Sequence, residues 1–86
     1  MLDHNYFRLA RRLSKANVEH NTLIDKMDRH RKNLSQVFER FDAGEISESI
    51  ANQFVKLYID QLLAWEVDLI AIQSEILHLK KELSQY

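Results

Sequence analysis

The chain has 86 residues, with 45% apolar and 29% charged, one Gly, no Pro and no Cys. That length allows one domain with a thin core, and the apolar content is too high for a disordered chain. So few turn residues exclude a β-sandwich or barrel, and the lack of cysteine excludes a disulfide framework and thiolate metal or redox chemistry.

The net charge of −1 is unevenly spread. Residues 1–44 carry nine Lys/Arg against six Asp/Glu, and residues 45–86 carry three against seven. The two halves are therefore opposite in sign. Met1–Ala10 has no basic segment followed by an apolar run, so no secretory signal is expected. Glu66 and Asp68 interrupt the longest apolar stretch, well short of the ~20 residues that a membrane span needs. A cytoplasmic location is the expectation, in keeping with a cysteine-free chain.

The first element runs over about residues 3–41. Steps of three and four land on Tyr6, Leu9, Leu13, Ala16, His20, Leu23, Met27, His30, Leu34, Val37 and Phe41. This is the seam of a coiled-coil-type helix, with His20 and His30 as its polar members. Asp3 is the expected N-cap. Asn17–Asn21 is the weakest stretch by helix propensity, but the heptad phase passes through it unshifted, which predicts one continuous helix.

Asp42–Ser47 is the break. Gly44, the only Gly, follows the last seam residue, where a left-handed residue is wanted. Ile46 and Ser47 read as a hydrophobic residue and an N-cap, with Glu48 in the first turn of the next helix. The second element, about residues 47–85, repeats the seam at Ala51, Val55, Tyr58, Leu62, Trp65, Leu69, Ile72, Ile76, Leu79, Leu83 and Tyr86. Folding back at Gly44 gives an all-α antiparallel hairpin, a single domain over residues 1–86. Facing pairs would include Leu23 with Trp65, Met27 with Leu62, His30 with Tyr58, Leu9 with Leu79, and Tyr6 with Leu83.

Each helix of a hairpin covers one stripe of the other. Beside its seam the second helix carries a further apolar line, Ile59, Leu63, Val67, Ile70 and Leu77, widened by Phe54 and Leu57, and the first helix adds Phe7, Ala10, Ile24 and Phe38 outside its own seam. Such a band implies another packing partner. The expected function is a non-enzymatic protein-protein interaction module: a dimeric adaptor, assembly factor or chaperone-like protein that pairs into a four-helix bundle. Its partner would be a second copy or another helical protein. The architecture is similar to that of short helical-hairpin secretion chaperones, regulators and assembly adaptors.

The alternative is a small nucleic-acid-binding regulator. Arg8, Arg11, Arg12 and Lys15 form a basic cluster suited to phosphates, and Lys26, Arg29, Arg31 and Lys32 form a second. No stacking platform or Gly-rich phosphate loop accompanies them, and helical pairs such as Asp25–Arg29 and Asp28–Lys32 would neutralise part of the charge. His20 and His30 lie about 15 Å apart along one helix, too far to share an ion. Glu75 and His78 have the Glu-x-x-His spacing of di-metal bundles, but no inward carboxylate lies near. The sequence assembles no catalytic group, cofactor site or metal set, and two long helices offer no enzyme-like cleft.

Overall fold

The structure, a computed structural model, describes residues 4–86. It has two α-helices, α1 (His4–Asp42) and α2 (Glu48–Leu83), and no strand among the described residues. The expected bounds differ from these by one or two residues. The Asp3 cap lies outside the described residues.

Helix α1 is continuous through Asn17–Asn21. Thirty-nine residues at about 1.5 Å each span about 58 Å, and the hairpin measures 65 × 16 × 14 Å. Its radius of gyration is 19.3 Å, against about 12 Å for a compact domain of this length. The molecule is a rod two helices thick. Its accessible surface is 6619 Å², whereas a compact monomer of this size exposes about 5,400 Å².

The turn is built as its residues dictate. Gly44 has φ +75°, the left-handed region that favours glycine. Its N–H donates to the Phe41 carbonyl, and the Glu45 N–H donates to the Arg40 carbonyl at 2.9 Å. This pair of bonds is the Schellman motif, which satisfies the last carbonyls of α1. An ion pair, Arg40 Nε to Glu45 Oε2 at 3.4 Å, spans the position where that motif usually has an apolar contact. Ser47 then caps α2, its Oγ accepting from the Ile50 N–H at 3.2 Å. Ile46 beside it is half-buried.

Every seam position from Tyr6 to Val37 and from Ala51 to Leu83 is buried or half-buried; the end positions Phe41 and Tyr86 are exposed. Met27 and Leu79 are fully buried. One core cluster joins Leu9, Ala16 and Leu79 with Leu13, Ile76 and Leu83. The other joins Leu23, Met27 and Leu62 with Leu34, Trp65, Leu69 and Ile72.

The register differs in detail from one-to-one facing. His30 does meet Tyr58, with ring centroids at 4.8 Å, but it meets Trp65 equally, at 4.7 Å. Tyr6 stacks edge-on against Tyr86 at 5.3 Å, one seam step beyond the expected Leu83. The reason is steric: a side chain of one seam fits the hole between residues of the other, not the tip of one residue. The open end of the rod is tied further by the Asn5 side-chain amide donating to the Tyr86 hydroxyl.

Candidate interaction surfaces

A helix turns 100° per residue, so the stripe can be placed on α2. Leu63, Val67, Ile70 and Leu77 lie about 140° around the axis from the seam. They occupy the back of α2, not a strip beside the seam. Exposure agrees with this. Ile59, nearest the seam, is 39% exposed, while Leu63, Val67, Ile70 and Leu77 are 56% to 70% exposed. All five side chains of the expected interface are therefore open to solvent on the hairpin.

The stripe has its own heptad spacing. Leu63, Val67, Ile70, Ser74 and Leu77 follow steps of four, three, four and three. Ala64 and Ala71 run beside them, seven residues apart and in line with Leu57, which is 67% exposed. These two alanines were not singled out from the sequence; their spacing behind Leu57 is the signal that finds them. They leave only short side chains beside the stripe.

The face ends in charge. Asp60 lies one step before Leu63 and pairs with Lys56 at 3.0 Å. Lys80 and Lys81 lie just beyond Leu77 in the last turn of α2, where positive charge suits the helix dipole.

A groove opens on one flank of the rod, lined by Val18, Thr22, Leu23, Trp65, Ala71 and Ile72, with Glu19, Lys26 and Asp68 at its edges. Val18 was not anticipated as part of a surface. It interrupts the polar outer face of α1 and is 63% exposed. Trp65 shares the core cluster of Leu23 as expected, yet it is only half-buried and shows part of its ring to this groove.

The structure brings Arg8, Arg11, Arg12 and Lys15 together around a shallow depression, with Ser14 and Val18. Two of the four are engaged. Arg8 donates to Asn5 Oδ1 at 2.8 Å, and Arg12 reaches across to Glu75 Oε1 at 3.5 Å. In the second basic cluster, Arg31 pairs with Asp28 at 3.1 Å, three residues away. This takes the place of the expected Asp28–Lys32 pair.

Glu75 and His78 face different partners. Glu75 turns to Arg12, and His78 Nε2 lies 2.9 Å from Glu82 Oε1. His20 lies 3.4 Å from the Asn21 side chain, and His30 is held between two aromatic rings. Among the described residues, no group of three His, Asp or Glu side chains is placed to hold a metal ion. Nor is any helix among the described residues long and apolar enough to cross a membrane.

Comparison with known proteins finds no match among family models, curated proteins or solved structures.

Proposed function

We propose that this protein is a non-enzymatic interaction module, an adaptor, assembly factor or chaperone-like partner that docks other helices on the back of α2. The observation that carries this reading is the solvent-open line Leu63, Val67, Ile70 and Leu77 on a helix whose opposite side is already covered by α1. Each of these side chains has on the order of 100 Å² of apolar surface to bury, and burying one is worth about 2 kcal/mol. Summed over the line, that is comparable to the whole stability of a small domain, about 5–15 kcal/mol. A thin two-helix core without cysteine staples has reason to recruit it, because small scaffolds commonly gain stability by assembly. A second hairpin docked there makes a four-helix assembly in which α2 is central. We place this activity in the cytoplasm, where a cysteine-free chain is at no disadvantage.

The test is co-expression of two differently tagged copies in the native host and capture through one tag. The reading predicts that a second copy or another protein is retained by the wild type and lost from Leu63→Glu/Ile70→Glu. If nothing is retained, or retention survives that pair, the back of α2 is not a docking surface.

A second reading is favoured by one observation, the gathering of Arg8, Arg11, Arg12 and Lys15 on one depression. Such a cluster binds phosphates of a nucleic acid with an affinity that falls steeply with salt. Binding to RNA or DNA at low salt, lost in Arg11→Ala/Lys15→Ala, would support it. The absence of binding removes it.

A further inference from the structure

We infer that the occupant of the α2 back is a second copy of this chain, packed antiparallel about a two-fold axis near Ile70. This rests on the docking reading above and names its partner.

The stripe is symmetric about that point. Leu63 and Leu77 stand seven residues on either side of Ile70. An antiparallel two-fold therefore sets Leu63 against the partner's Leu77 and Ile70 beside the partner's Ile70. Val67 then meets the partner's Ser74. A two-fold contact requires such a self-complementary patch.

Charge follows the same symmetry. Asp60 precedes the stripe, and Lys80 and Lys81 follow it. Antiparallel pairing brings Asp60 toward the partner's Lys81, twice per dimer. Parallel pairing would instead stack Asp60 on the partner's Asp60 and lysine on lysine, and like charges facing across an interface are unfavourable.

The area is adequate. Leu63, Val67, Ile70 and Leu77 offer about 400 Å² of apolar surface per copy at roughly 100 Å² each, and Leu57, Ala64 and Ala71 beside them add to it. A standard interface buries about 800 Å² per partner, and homodimer interfaces are about 65% apolar. Together these residues supply close to that apolar share. It lies opposite the seam, so α1 does not obstruct the second hairpin. The assembly is a row, with the two α2 helices inside and the two α1 helices outside.

The chain has no cysteine, so single thiols can be introduced cleanly. With a short bismaleimide, Ile70→Cys should cross-link to itself, and Leu63→Cys mixed with Leu77→Cys should cross-link to each other. Leu63→Cys alone should not, because its copy lies about 21 Å away along an antiparallel pair. Asp60→Lys should raise the dimer dissociation constant about tenfold, and the swap Asp60→Lys/Lys81→Asp should restore it. Self-cross-linking of Leu63→Cys, or a mass of one chain by light scattering at all concentrations, overturns the proposal. The wider docking reading fails separately, if the wild type also retains no other protein or if Leu63→Glu/Ile70→Glu leaves that retention unchanged.

Discussion

The two helices are alike in length and seam but differ on their outer faces. Away from the seam, α1 presents Arg8, Arg11, Lys15, Thr22, Asp25, Arg29 and Lys32, with exposed apolar side chains at the separated positions Phe7, Val18 and Phe38. Helix α2 presents Leu57, Leu63, Val67, Ile70 and Leu77. Both build the hairpin equally well, because a hairpin uses only the seam. The contrast teaches that α1 scatters its exposed apolar residues, while α2 lines them up as a second apolar side that the fold itself does not use. The seam that holds the hairpin and the surface proposed for assembly thus lie on opposite sides of one helix.

The strongest way to break the comparison is to place charge on the back of α2. Leu63→Glu/Ile70→Glu should abolish assembly while far-UV circular dichroism shows the helix content unchanged. The mirror experiment on α1, Arg11→Glu/Lys15→Glu, should leave the mass of the assembly unaltered. A core substitution should do the reverse. Met27→Ala or Leu79→Ala empties a fully buried position and should cost the hairpin about 2–5 kcal/mol in denaturant unfolding.

Smaller effects sharpen the picture at the turn and the surface. Gly44→Ala should cost about 1–2 kcal/mol. The cause is the positive φ alone, since a Cβ there would meet nothing within 4 Å. Ser47→Ala should cost about 1 kcal/mol by removing the cap of α2. Arg12→Ala breaks the only ion pair between α1 and α2 among the described residues. Both its partners are about half exposed, so thermal unfolding should shift by less than about 1 kcal/mol, and less still at high salt.

The seam was legible because its period is strict: twenty-two positions obey one alternation of three and four, and Gly44 falls where that alternation stops. The stripe residues were legible for the same reason. Their placement behind α2, and not beside the seam, becomes plain once Ile59 and Leu77 are compared for exposure. The register was legible only to within half a heptad. Periodicity fixes which side chains face the other helix, but not the hole each one enters; His30 between Tyr58 and Trp65 shows that choice. The local ion pairs were least legible. Arg31 took Asp28 in place of Lys32, because exposed pairs at three and four residues differ little in energy. The Ala64–Ala71 strip escaped notice because alanine is a weak apolar signal in a helix, where it is common for its propensity alone.

The most direct test of the claim that a second copy docks on the back of α2 is the solution mass of the wild type beside that of Leu63→Glu/Ile70→Glu, measured by light scattering across a range of concentrations. The account predicts an assembly of at least two chains for the wild type and a single folded chain for the variant. Equal masses for the two proteins would contradict it.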